Sequence, residues 1–244
     1  MKKRIYLKHM FSFKRTFIIY FILLLYPFNV FLRPIDNIND FNKLFYLMYD
    51  NVFSVYTATF LLIPLFLFLI EHNAILFGND NVIVKMRTKE NWWKERIKLL
   101  FIDIIIFTIF TNILVYLPLF AMKKISFIHL ALLINALRIS FLQFLGYAVL
   151  GTLFAAAKLL TGKRYMGFIV SMAIGVLDYI FMQCGVNIAI LTNHMFFPMN
   201  AGQDDVSIWL FRSLIYLMIL FVVVFLTGCH LIKEKDLLED AYYK

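Results

Sequence analysis

Long apolar runs alternate with short polar breaks along the whole chain, at about 16–32, 52–70, 99–120, 139–160, 166–191 and 208–232. Each run approaches the roughly 20 apolar residues that a ~30 Å hydrocarbon core requires of a helix. Strands in lipid would leave backbone groups unpaired, so the runs predict helices. The expected fold is all-α: one polytopic transmembrane domain covering 1–244, with six spans. Tyr6, Met10, Phe13 and Phe17 recur at helical spacing opposite Arg4, Lys8 and Arg15, the pattern of a helix lying in the headgroup plane. Pro27 predicts a kink in the first span. The run 125–160 is too long for one straight span and carries Arg138 near its middle. A charge at the bilayer centre costs about 2.5–3.5 kcal/mol on insertion scales. The run is therefore expected to split into a short amphipathic or re-entrant helix at 126–137 and a span from Ile139, with Arg138 at the interface. A polar hairpin, Thr192 to Ser207, separates the last two spans.

One long charged stretch interrupts this pattern, Asn79 to Leu100, with Lys85, Arg87, Lys89, Lys94, Arg96 and Lys98 against Asp80, Glu90 and Glu95. Gly78 breaks the preceding helix and Asp80 or Asn81 can cap a short one over 81–87. Thr88 can cap a second, whose apolar positions Trp93, Ile97 and Leu100 fall at i, i+4 and i+7 and lead into the third span. The loop reads as ordered helix. Trp92 and Trp93 stand where a helix enters lipid, which suits an interfacial anchor as well as a partner contact.

Composition sharpens the class. At 62% hydrophobic and 16% charged residues in 244, the chain is too apolar for a soluble domain. Its formal net charge of +9 would suggest nucleic acid in a soluble protein. Here the basic residues lie between apolar runs, and the better reading is topology control with no nucleic-acid partner. Eighteen Lys and Arg fall in the N-terminus, the 79–98 loop, the Lys158–Arg164 turn and the tail, against six at Arg33, Lys43, Lys123, Lys124, Arg138 and Arg212. Both termini are therefore expected in the cytoplasm of a plasma membrane. The heavy use of Phe, Lys, Asn and Ile suits an AT-rich, bacterial genome. The N-terminus ends in no small-residue cleavage site, so no removable signal peptide is expected. Cys184 and Cys229 lie in different runs and form no disulfide framework.

Groups for chemistry are sparse. The five histidines include no pair at metal-ligand spacing, so no metal site is expected. Thr161-Gly162-Lys163-Arg164 lacks the upstream Gly of a phosphate loop, position 157 being Ala, and lacks the Ser or Thr after Lys. The chain should hold no nucleotide and have no catalytic residues of its own. Asp103 lies one turn inside the third span and Asp178 near the middle of the fifth, on one face with Gly167, Ser171 and Gly175. That small-residue stripe lets helix backbones approach closely, and Ala148, Gly151 and Ala155 repeat it on span four. Asp178 is expected against protein, bonded to a partner such as Asn112, Gln143 or Arg212. It serves either packing or a substrate path.

The six-helix plan, the N-terminal interfacial helix, the split helices beside spans four and five and KMRTKENWWKER together resemble the permease subunit of type-2 ABC transporters. The motif is similar to an R-x-x-S-R-x-x-W-W pattern of small permeases in Gram-positive peptide-export and bacteriocin-immunity operons, with Thr88 where Ser is expected. The resemblance implies a permease dimer, homodimeric or with a paralogue, that docks cytosolic ABC ATPase subunits through Lys85, Arg87, Lys89, Trp92, Trp93, Glu95 and Arg96. ATP and Mg would sit on the ATPase, and the substrate would be an exported peptide or other amphipathic molecule. The alternative is a stand-alone membrane immunity or sensor protein that binds a peptide without ATP.

Overall fold

The computed structural model describes residues 14–26, 47–50, 52–74, 88–121, 130–186, 190–196 and 203–234. All regular structure among them is helical. The elements are α1 (Lys14–Leu25), α2 (Val55–Thr57, a π-helical turn Ala58–Leu62 and Ile63–Ala74), α3 (Lys89–Ala121), α4 (Leu130–Thr161), α5 (Arg164–Gln183), the short α6 (Thr192–Met195) and α7 (Gln203–Glu234). Among the described residues, five stretches are long and apolar enough to cross a membrane: Leu47–Asn73, Lys89–Tyr116, Ala136–Thr161, Tyr165–Gln183 and Ile208–Glu234. Of the first expected span, the described part is the apolar helix Thr16–Leu25; its expected kink at Pro27 and its end lie outside the described residues. The expected interfacial helix before it, the 81–87 helix and the charged tail after Glu234 lie outside the described residues.

Local chemistry explains the irregularities. Ser54 leaves the helix with ψ 149° and caps α2 through its hydroxyl, which accepts from Thr57 N–H at 3.2 Å. Pro64 has no N–H to close an α-turn, and just before it Ile63 N–H reaches back to the Ala58 carbonyl in a wider π-turn. Gly162, at φ 69°, makes the tight α4–α5 turn. Gly185, at φ 70°, ends α5 in a Schellman-type turn in which Val186 N–H donates to Phe181 O at 2.9 Å. The fifth span therefore stops at Gln183, where the apolar run had suggested Leu191, and Asp178 sits near the helix end.

The split expected at Arg138 is absent: α4 is continuous from Leu130 to Thr161. Arg138 is the ninth residue of that helix, and its side chain is exposed. A helix of 32 residues is ~48 Å long. It overruns a ~30 Å core, so the charge reaches the interface without a break.

Neighbouring helices alternate in direction. Asn112 meets Gln143 between α3 and α4, Asn73 meets Asp103 between α2 and α3, and Phe101 faces Phe221 between α3 and α7. Each pairing places an early residue of one helix beside a late residue of the other. α4 and α7 consequently run parallel, both opposed to α3. α4 lies at the centre, with 78% of its apolar window buried, against 22% for α5 and 17% for α7. Phe66, Phe107 and Tyr147 form the aromatic heart of the core, with ring centroids 4.8 to 5.3 Å apart.

Candidate functional site

Functional groups concentrate at the two ends of the bundle. At one end the buried Asp178 carboxylate accepts four hydrogen bonds from the chain that leads into α6. Ile190 N–H donates to Oδ1 at 2.6 Å, Leu191 N–H and Thr192 N–H donate to Oδ2 at 2.8 and 2.6 Å, and the Thr192 hydroxyl donates to Oδ2 at 3.0 Å. The carboxylate thus supplies from another helix the acceptor that the orphan amides at a helix start lack. Asn112, Gln143 and Arg212, the partners anticipated from sequence, are used elsewhere: Asn112 Nδ2 donates to Gln143 Oε1 at 2.6 Å, and Arg212 is exposed on α7.

The segment so anchored lies against three helices and Phe53. Met195 is fully buried and fills a notch at Gly146 of α4, where any Cβ would overlap its side chain. Phe196 stacks on Phe53, centroids 5.3 Å apart and planes 17° apart. His194 Nδ1 and the buried Ser213 Oγ are in hydrogen-bond contact at 3.1 Å, and the imidazole lies 4.3 Å from the Tyr216 ring. Residues 190–196 therefore form a cap over this end, tied to α5 by charge-assisted bonds and to α4, α7 and Phe53 by packing. The sequence reading treated 192 onwards as a polar hairpin. The available signal was Gly185, which ends the helix inside the apolar run.

The opposite end carries the charge. Helix ends place Lys14, Lys89, Lys94, Lys98, Lys158, Lys163 and Lys233 together there. Thr88 caps α3 as its spacing suggested, its hydroxyl accepting from Asn91 N–H at 3.2 Å, and Trp93, Ile97 and Leu100 are buried. Trp92 and Trp93 are also buried, 4% and 0% exposed, so neither faces lipid as an interfacial anchor in this chain. Trp93 lies against Gly228 of α7, where a Cβ would overlap its ring, and 6.5 Å from Phe225. Arg96 is buried with its guanidinium 5.2 Å from the Trp92 ring. Glu95 pairs with Lys98 at 3.1 Å, and Glu90 reaches Lys233 of α7 at 3.2 Å. Lys89 opens α3, while Lys85 and Arg87 lie outside the described residues. Gly228 was missed from sequence, because a lone glycine in an apolar run shows no partner.

Between the two ends, the small residues of α5 face protein. Gly167 meets the Phe154 carbonyl, where a Cβ would lie at 2.7 Å, and the Ser171 hydroxyl donates to Leu150 O at 3.3 Å. Gly175 faces Ile63, and its carbonyl accepts from the Thr59 hydroxyl at 3.1 Å, inside the π-turn of α2. The small residues of α4 behave likewise: Ala148 and Ala155 are buried, and a Cβ on Gly151 would lie 2.8 Å from Leu100. Asp103 is buried and accepts from Asn73 Nδ2 at 2.9 Å. No group of three or more His, Cys, Asp or Glu among the described residues could hold a metal. No protein-family model, curated protein or solved structure matches the chain.

Proposed function

We propose that the chain is the transmembrane permease subunit of an ATP-driven exporter of the type-2 ABC class, moving a peptide or other amphipathic substrate. Its basic Trp93 end faces the cytoplasm, in line with the positive-inside rule, and both termini lie on that side. A separate cytosolic ATPase carries ATP and Mg and docks on the segment around Lys85, Arg87 and Lys89. A second permease subunit, a copy or a paralogue, completes the transporter.

The observation that carries this reading is α3 itself. One unbroken helix runs from the charged Lys89 into the bundle core, and its first turns are clasped to α7 by Trp93 on Gly228 and Glu90 to Lys233. A rigid rod seated in this way transmits a displacement at its charged end to the helices that bear the cap. A surface loop that only set topology would need no such seat. The cap at the Asp178 end is then the element that opens toward the exterior, because its hydrogen bonds to α5 are local and can exchange as a unit.

Reversing Lys85, Arg87 and Lys89 to Glu together tests the reading. The variant inserts and folds, but no longer recovers the ATPase from mild detergent and no longer exports. Recovery of the ATPase at wild-type yield would reduce the segment to a topology determinant.

A further inference from the structure

Asp178 and Asp103 are both buried in membrane-length helices, and their surroundings differ in kind. Asp178 meets N–H and O–H donors, which suits the acceptor-only role of a carboxylate. Asp103, inside Lys89–Tyr116, meets a side-chain amide. Asn73 Nδ2 of α2 donates to Asp103 Oδ1 of α3 at 2.9 Å, and Asn73 is as deeply buried as Asp103.

The other end of that amide is the informative atom. Asn73 Oδ1 is buried and accepts no hydrogen bond among the described residues, although it shares a small planar group with the bonded Nδ2. A buried acceptor left in this way costs about 1–3 kcal/mol. Turning the amide over brings no relief, because Oδ1 would then face a carboxylate oxygen and the N–H donors would lose theirs. An ionised Asp103 has no hydrogen to give. A neutral Asp103 has one, on Oδ2, and acid and amide then close a two-bond ring in which each group donates once and accepts once. The setting favours the same state, since an ionised side chain within a span costs about 2.5–3.5 kcal/mol on insertion scales.

We propose that Asp103 is a proton-binding site, a carboxylic acid whose Oδ2–H donates to Asn73 Oδ1 while its Oδ1 accepts from Asn73 Nδ2. The titratable side chains on the helices packed here are compatible with it. Tyr20 of α1, within electrostatic range of Asp103, is a phenol and uncharged at neutral pH. His72 precedes Asn73 on α2. Arg96, two turns earlier on α3, leans toward the helix start and onto Trp92, 5.2 Å from its ring and away from Asp103. The ring spans two helices, so the proton is held only while α2 and α3 lie together.

The test uses the full chain reconstituted in lipid vesicles at neutral pH, with infrared difference spectra of wild type against Asp103→Asn in H2O and in D2O. Asparagine at position 103 donates and accepts at the same two points, so the variant keeps the pair and folds. Wild type should show one protonated-carboxyl band that moves in D2O and is missing from the variant. Asn73→Leu should shift that band upward, because the acid carbonyl loses the N–H that it accepts. A difference spectrum that contains only carboxylate bands overturns the proposal, as does a protonated-carboxyl band that Asn73→Leu leaves unmoved.

Discussion

Asp178 and Thr192, fourteen residues apart, are joined twice: the Thr192 amide and hydroxyl both donate to the same carboxylate oxygen, at 2.6 and 3.0 Å. With the Ile190 and Leu191 amides, Oδ1 and Oδ2 together face donors only. Asparagine is therefore not a neutral replacement here. Whichever way its amide is turned, one NH2 group meets an N–H. Asp178→Asn should cost about 1–3 kcal/mol, the range for one buried group left unpaired. Asp178→Leu should cost more, since four donors lose their acceptor. Hydrogen exchange at the amides of 190–192 reports this directly: it accelerates in Asn and further in Leu, while amides in the middle of α4 keep wild-type protection. Unchanged exchange at 190–192 in the Leu variant would show that Asp178 does not hold the cap.

The notch at Gly146 makes a second, independent test of the cap. Gly146→Val places methyl groups where the Met195 side chain lies, and overpacking of this kind typically costs about 1–3 kcal/mol. Met195→Ala empties the notch and costs about 2–5 kcal/mol. The double variant should be more stable than the sum of the two predicts, a deviation of about 0.5 kcal/mol or more expected only of residues in contact. Thermal unfolding in one detergent, with all four proteins side by side, supplies the numbers.

Trp93 and Gly228 repeat that logic at the other end. Gly228→Ala forces the buried indole out of place, and Trp93→Ala removes a large fully buried ring at about 3–5 kcal/mol. The exposed pair Glu90–Lys233 belongs to the same clasp but should contribute no more than ~1 kcal/mol. Glu90→Gln should leave the melting temperature nearly unchanged, whereas Gly228→Ala lowers it. If the two variants melt alike, packing is not what seats α3.

Topology can be read by labelling intact cells with an impermeant thiol reagent after Cys184, which is exposed, and Cys229 have been changed to Ser. A cysteine introduced at position 203 should label, and one at position 90 should not. The reverse pattern would invert the orientation on which the ATPase dock depends.

How much was legible in the sequence differed with the range of the interaction. The Thr88 cap and the Trp93, Ile97, Leu100 face were readable because helix starts and helix faces are written within a few residues. The Gly167, Ser171, Gly175, Asp178 face was readable for the same reason. The partner of Asp178 was not, because three of its four donors are backbone amides, which every residue but proline carries and no side-chain pattern reveals. The break predicted at Arg138 failed on a question of length: the cost of a buried charge was applied at the middle of the apolar run, whereas a 32-residue helix overruns a ~30 Å core and leaves room for Arg138, its ninth residue, toward one edge. The end of the fifth span was misplaced because 184–191 is apolar enough to continue a helix, and only Gly185 marked the turn.

The most direct test of the proposed role is whether ATP turnover depends on this chain. Co-expressed with a candidate cytosolic ATPase of its own cell and purified in mild detergent through a tag on the present chain, the wild type should yield a stoichiometric complex that hydrolyses ATP. The Lys85, Arg87, Lys89 to Glu variant should be recovered folded, without the ATPase and without hydrolysis. Wild-type chain that is folded and correctly oriented, yet purifies alone with no associated ATPase activity, would contradict the permease assignment.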